Sequence, residues 1–217
     1  MKKIKALLAV MVVFTMVFSL AVCGSADSDV NSGTQTTEAH NSSEENLTET
    51  STDNKSAAAH SDVLVAYFSA TGITKGVAEK IASITGGDIY EILAAEPYTE
   101  DDLNYNDSST RATKEQNDKN VRPEIGSEDI TLEGYTTVYL GFPIWWGEEP
   151  RILDTFVEKY SFEGITVIPF CTSGGSGIGR SGSNMEALAK SGTWLDGERF
   201  SGSVSEEDLK SWIDGLE

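Results

Sequence analysis

Continuous apolar runs alternate with helical patterns along the last three quarters of the chain. Apolar runs bounded by glycine or by polar clusters predict buried strands at 63–68, 88–93, 136–142 and 165–171. One more short strand is expected at either 193–195 or 199–200. Because strands that are apolar throughout need cover on both faces, this alternation predicts an α/β fold with a parallel sheet.

Helical patterns fall between these strands. They predict helices at about 74–83, 150–159, 182–189 and 205–215. Pro150 suits the first turn of its helix, and Ser205 with Asp208 three residues later forms a capping box. The last helix therefore begins at a defined point.

A long polar stretch, 96–134, interrupts the alternation and is too rich in Asn, Asp, Thr and Ser for a core. Its middle, 108–118, is expected to form a helix because Ala, Lys, Glu and Gln cluster there. Its composition fits two arrangements equally well: a solvated surface excursion, or a lid in which Tyr105, Arg111 and Glu115 fold over a ligand site.

The start of the chain has the pattern of an export signal. Three lysines at positions 2, 3 and 5 precede an uncharged apolar run that ends at Val22, which predicts a signal peptide at 1–22. The run continues into Cys23, and residues 20–23 resemble the lipobox of bacterial lipoproteins, although Val22 departs from the small residue expected there. We therefore expect an exported protein, lipid-anchored at Cys23 on the outer side of the bacterial cytoplasmic membrane.

Two other interpretations of this segment are an uncleaved anchor helix and ordinary cleavage near Ala21 or Ala26. All three place the folded domain outside the cytoplasmic membrane. Residues 23–60 are polar, with almost no large apolar side chains, so they predict a disordered tether, followed by one folded domain at 61–217.

The folded domain is strongly acidic. The chain carries a net charge of −19, and 61–217 alone holds 12 basic and 28 acidic residues, a net charge of −16. Such a field repels nucleic acid and anionic membrane surfaces, so we expect no nucleic-acid partner and membrane contact only through an N-terminal lipid or signal anchor. A cationic protein partner remains compatible with it.

Histidine and cysteine chemistry is not expected in this domain. Both histidines, His40 and His60, precede it, and no cluster has metal-ligand spacing. Cys171 ends an apolar strand, which favours a buried small hydrophobe over a reactive thiol.

Three loops of unusual chemistry follow predicted strands. The first strand ends in Ser69-Ala70-Thr71-Gly72-Ile73-Thr74 and leads directly into a helix, an arrangement that favours an anion at the helix N-terminus. The other two loops are Pro143-Ile144-Trp145-Trp146-Gly147 and the glycine-rich 172–179. Ligands of open α/β sheets bind beyond the carboxyl ends of the strands, so the three loops are expected to meet at one site.

These loops resemble, in order, the phosphate loop and the two ring-binding loops of the flavodoxin-like family, whose phosphate loop reads hydroxyl-x-Thr-Gly-x-Thr. The resemblance implies a doubly wound five-stranded parallel sheet of order 2-1-3-4-5, with FMN as the cofactor. Candidate FMN-binding residues are Ser69, Ala70, Thr71, Gly72, Ile73, Thr74, Pro143, Ile144, Trp145, Trp146, Thr172, Ser173, Gly174 and Gly175.

The resemblance also implies a role for each loop. The first contains no Lys or Arg, so the phosphate would be bound by backbone N–H groups and by the hydroxyls of Ser69, Thr71 and Thr74. One of Trp145 and Trp146 would line the flavin while the other packs inward. The third loop would approach the pyrimidine side of the ring, and because it lacks an aromatic residue, one ring face would be open to a nicotinamide or a quinone.

The function expected from this resemblance is an FMN-dependent oxidoreductase that carries hydride or electrons between a nicotinamide or other donor and a small acceptor such as a quinone. No catalytic side chain is assigned, because N5 of the flavin is the reacting atom. The alternative is a flavodoxin-type electron carrier that acts on protein partners, which the acidic surface favours. A domain that retains the fold without the cofactor is disfavoured by the intact loops.

Overall fold

The computed structural model describes residues 61–216. The predicted signal peptide at 1–22 and tether at 23–60 lie outside the described residues, so these assignments remain predictions. Six strands form one sheet: β1 (Val63–Tyr67), β2 (Asp88–Glu91), β3 (Thr137–Pro143), β4 (Thr166–Thr172), β5 (Thr193–Trp194) and β6 (Glu198–Phe200). The helices are α1 (Ile73–Thr85), α2 (Arg111–Asn117), α3 (Arg151–Lys159), α4 (Ser181–Ala189) and α5 (Glu206–Asp214).

The sheet is parallel at every strand pair, and its order, β2-β1-β3-β4-β5, confirms the predicted fold. Both positions considered for the last strand are strands, and both pair with β4. They are separated opposite Pro169 of β4, which has no N–H to donate to a neighbouring strand. A Cβ on Gly197 would lie 2.6 Å from the Pro169 carbonyl oxygen, so the chain between β5 and β6 can pass Pro169 this closely only because residue 197 is glycine.

Helices cover both faces of the sheet, because successive side chains of each strand point to opposite faces. Leu64 and Ala66 of β1 belong to the core shared with α3 and α4, whereas Val65 and Tyr67 belong to the core shared with α1 and α5. The two cores leave the carboxyl ends of the strands as the edge where loops meet.

The stretch 96–134 is not solvated throughout, so the expectation that it is too polar for the core is wrong in part. Ala112 of α2 is fully buried, and Leu132 also belongs to the core. The other buried residues of α2 are polar: Thr113, Glu115 and Gln116. Within residues 61–216, no helix has the length and hydropathy needed to cross a membrane.

Candidate functional site

A cavity of about 850 Å³ opens beyond the carboxyl ends of β1, β3, β4 and β6. All three predicted loops contribute to its wall. The predicted residues that line it are Ala70, Thr71, Gly72, Ile73, Thr74, Pro143, Ile144, Trp145, Thr172, Ser173 and Gly174. A volume of this size is typical of a site for a small molecule or cofactor.

The first loop presents an anion site. Gly72 adopts a left-handed conformation (φ 82°) at the N-cap of α1, and a Cβ there would have no protein atom within 4 Å. The first helical hydrogen bond runs from the Gly76 N–H to the Gly72 carbonyl at 3.1 Å. Within the described residues, the N–H groups of residues 70–75 have no protein acceptor, so they remain available to a ligand at the positive end of the helix.

Two hydroxyls connect the first loop to the third. Thr74 and Thr172 are buried, and their side-chain oxygens lie 2.8 Å apart. Thr71, in contrast, is exposed and lines the cavity. Thr71 is therefore the hydroxyl of this loop that faces a ligand most directly.

Three predicted residues do not line this cavity: Ser69, Trp146 and Gly175. The Ser69 hydroxyl is buried without a hydrogen-bond partner and borders a smaller cavity of about 230 Å³ beside Phe68 and Tyr98. The role of Ser69 in phosphate binding therefore stays a prediction.

The second loop is a tight hairpin that separates its two tryptophans. Trp145 and Glu148 exchange backbone hydrogen bonds of 2.9 and 3.1 Å, and Trp146 (φ 48°) and Gly147 (φ 86°) occupy the turn. Consecutive left-handed residues are characteristic of a type I′ turn. Trp145 is 2% exposed, whereas Trp146 is 42% exposed and lies 4.6 Å from the ring of Tyr105.

Trp145 both packs inward and borders the cavity. Its ring makes edge-to-face contacts with Phe68 at 5.5 Å and Tyr98 at 5.0 Å. The expectation that one tryptophan would line the ligand and the other pack inward therefore needs a correction: Trp145 does both, and Trp146 points outward beside the site.

Gln116 of α2 holds this hairpin in place. Its side-chain amide donates to the carbonyl oxygens of Trp145 and Glu149, both at 3.1 Å. Arg151 donates to the Gln116 carbonyl at 3.2 Å and to Glu148 at 2.7 Å. The polar helix of the 96–134 stretch thus acts as a buried support for the second loop.

Two buried carboxylates accompany this support. Burial raises the pKa of Glu149, which lies 3.6 Å from Arg151 and accepts hydrogen bonds from Asn184. Burial, with the nearby charge of Glu149, raises the pKa of Asp154 to about 6 against the opposing effects of Arg151 and Arg122. These groups lie behind the second loop and do not line the cavity.

The predicted lid residues do not act together. The Arg111 guanidinium lies 4.1 Å from the centre of the Tyr98 ring and donates to Glu115 at 2.7 Å. Tyr98 donates to the same carboxylate at 2.5 Å. Arg111 and Glu115 therefore pack around Tyr98, and Tyr105 alone of the three borders the cavity.

Several lining residues were missed by the sequence analysis. They are Gly76, Leu103, Ser201, Gly202 and Ser203; Tyr105, considered only as part of a lid, and Ser176, within the 172–179 loop, also line the cavity. The triplet at 201–203 follows β6, so it had a usable signal: hydroxyl residues around a glycine directly after a predicted strand, as in the first loop. Leu103 had none, because its position depends on how the 96–134 stretch packs.

The third loop is ordered by Ser173. Its hydroxyl donates to the Ser176 carbonyl and accepts from the Gly175 N–H at 3.3 Å. Among the described residues, none accepts a hydrogen bond from the N–H groups of Gly174 and Ser176, both of which line the cavity. The loop therefore offers backbone donors to a ligand.

Residues 61–216 contain no group of three or more side chains that could hold a metal ion. Cys171 is fully buried, and burial raises the pKa of its thiol to about 12, so the thiolate is disfavoured.

The doubly wound sheet and this three-loop cavity define a cofactor-binding domain of the mononucleotide type. The flavodoxin family model matches residues 62–216, and the chain belongs to this family. Family membership confirms the predicted flavodoxin-like fold and supports FMN as the cofactor of the domain. No curated protein sequence is similar enough to be counted as a match.

Solved structures with similar folds agree with this family assignment. Two Bacteroides proteins with a provisional flavoprotein description, from B. uniformis and B. eggerthii, are 41% and 42% identical, with TM-scores of 0.68 and 0.67. Each alignment covers 71% of this chain, and 99% and 96% of the respective Bacteroides chain. A flavoprotein from Lactobacillus acidophilus solved in complex with FMN is 24% identical, with a TM-score of 0.54 over 70% of this chain and 97% of its own, which supports the fold.

Proposed function

We propose that this domain binds FMN in the three-loop cavity and acts as an FMN-dependent oxidoreductase between a nicotinamide or other donor and a small acceptor such as a quinone. The observation that carries the proposal is the cavity itself. It joins an uncharged anion site at the N-terminus of α1 to two loops that a phosphate alone would not use.

The residues present fit FMN. The Thr71 hydroxyl and the free N–H groups of the first loop suit the phosphate. Trp145 and Ile144 offer an apolar wall for a flat ring, and Gly174 and Ser176 offer N–H donors for its polar edge. Bound FMN would supply the redox chemistry, so no protein side chain is required as acid or base.

A pair of substitutions tests the phosphate assignment. Thr71→Val removes one hydroxyl at nearly constant shape and is expected to weaken FMN binding about tenfold, the loss of a hydrogen bond to a charged group. Thr193→Val, an exposed position on β5, is the matched control. FMN titrations followed by flavin fluorescence measure both. Equal affinities for the two variants would show that the Thr71 hydroxyl does not bind the phosphate. A wild-type protein that takes up no FMN would refute the proposal.

A flavodoxin-type electron carrier is the second candidate function. The net charge of −16 on 61–217 favours it, because such a field steers a basic protein partner to the site. Oxidation of NADH or NADPH with a quinone would favour the oxidoreductase. Rapid reduction of a basic protein acceptor, slowed strongly by salt, would favour the carrier.

We further propose that the domain is exported and tethered to the outer side of the cytoplasmic membrane through a lipid on Cys23. The support is the basic and apolar start of the chain and the lipobox-like residues 20–23. Cys23→Ser should abolish labelling by a radioactive fatty acid. Unchanged labelling would contradict the proposal.

A further inference from the structure

Arg199 lies behind the third loop and holds it at one residue. It is half-buried on β6, where it is the register partner of Cys171 near the end of β4. Its guanidinium donates to the Ser173 carbonyl at 2.8 Å and to the Ser173 hydroxyl at 3.2 Å. These two bonds use the planar fork that distinguishes arginine from lysine.

The charge of Arg199 is not neutralised by a carboxylate. Of the five described arginines, Arg111, Arg122 and Arg151 form ion pairs, whereas Arg180 and Arg199 form none within residues 61–216. Arg180 is exposed, so water solvates it. Arg199 is half-buried beside neutral groups, in a domain with 28 acidic residues. The neighbouring carboxylate, Glu198, accepts from the Arg199 backbone N–H at 2.8 Å.

Partial burial of an unpaired cation costs desolvation free energy unless polar groups or a ligand interact with its charge. Through Ser173, the Arg199 side chain orders the turn that presents the Gly174 and Ser176 N–H groups to the cavity. The positive charge therefore lies directly behind the backbone donors that would face the polar edge of a flavin. The apolar residues Leu103 and Ile144 elsewhere in the wall suit the dimethylbenzene edge of the ring.

We infer that Arg199 is a positioning residue that raises the reduction potential of bound FMN; the inference rests on the proposed function. Reduction by a reduced nicotinamide transfers a hydride, two electrons and one proton, to N5, and the nicotinamide leaves oxidised. The flavin ring then carries one negative charge along its polar edge. A cation behind that edge stabilises the reduced form more than the neutral oxidised form.

Three variants separate charge from shape. Arg199→Lys retains the charge, Arg199→Gln retains a neutral donor, and Arg199→Met retains neither. The matched control is Arg180→Met, which removes the same charge from an exposed position after the same loop. For each protein, the affinities for oxidised and reduced FMN and the midpoint potential are measured under anaerobic conditions, because the ratio of the two affinities fixes the shift in potential.

We expect Arg199→Gln and Arg199→Met to lose about tenfold in the preference for reduced over oxidised FMN, or about 30 mV for a two-electron couple. Arg199→Lys should retain most of this preference, and Arg180→Met should equal wild type. If Arg199→Met fails to fold, the contrast between Lys and Gln decides alone.

Equal potentials for the Lys and Gln variants, or for Arg199→Gln and Arg180→Met, would overturn the inference while leaving FMN binding established. A wild-type protein that binds no FMN would instead refute the proposed function. In the cofactor-free protein, faster hydrogen exchange at Gly175 in the Met and Gln variants would report the loosened loop without reference to any redox measurement.

Discussion

The left-handed conformation of Trp146 leads to a prediction about stability that can be tested without any ligand. Trp146 has φ 48° and precedes Gly147 in a tight hairpin. A left-handed conformation costs a residue with a Cβ about 1 kcal/mol, whereas asparagine adopts it readily and is favoured in type I′ turns. Replacing Trp146 by Asn and by Ala therefore separates the backbone preference from the loss of the indole ring.

Both substitutions lose the same ring contact. Trp146 lies 4.6 Å from Tyr105, an aromatic pair with a contribution of about 0.5–1.5 kcal/mol beyond area burial. Because Asn and Ala lose it equally, the difference between them reports the left-handed backbone alone. We expect W146N to be more stable than W146A by about 1 kcal/mol, which corresponds to a Tm about 3 °C higher for a domain of this size.

Urea unfolding followed by far-ultraviolet circular dichroism measures this difference, and because both variants lack the same indole, its loss affects their signals equally. Lys190, the other non-glycine residue with positive φ among those described (57°), should show the same advantage of Asn over Ala. Tyr105 lacks a positive φ and should show no such advantage. W146A as stable as W146N would refute the assignment of strain to this turn.

Two further predictions concern the core and its buried charges. Gly141→Ala should destabilise the fold by about 2 kcal/mol, because its Cβ would lie 2.2 Å from the buried Phe170 ring. Gly177→Ala is the control and should be near neutral, because its Cβ would have no atom within 4 Å. Thermal unfolding measures both variants, and equal effects would contradict this packing. The pKa of Asp154 is raised from 3.8 to about 6, so the folded state holds this proton more tightly than the unfolded chain, and the free energy of unfolding should fall as pH rises from about 4 to 6. Asp154→Asn should weaken this dependence of the free energy of unfolding on pH, as measured by urea unfolding at pH 4, 5 and 7. An unchanged dependence would mean that another group causes it.

The sequence by itself determined the order of strands and helices, the parallel sheet and the edge where the three loops meet. These features follow from local periodicity and chain direction, because buried parallel strands bring their carboxyl ends together at one edge. The hydroxyls and glycine of the first loop also indicated the anion site before any contact was known.

Only the tertiary structure decided how the loops are held and which side chains face the cavity. The hairpin places Trp145 inward and Trp146 outward, and the Ser69 hydroxyl is buried beside a second, smaller cavity. Gln116 reaches Trp145 across 29 residues and Arg199 reaches Ser173 across 26. Periodicity reports which face of an element is buried, whereas such long-range contacts depend on how separate elements pack, and packing is a property of the whole fold.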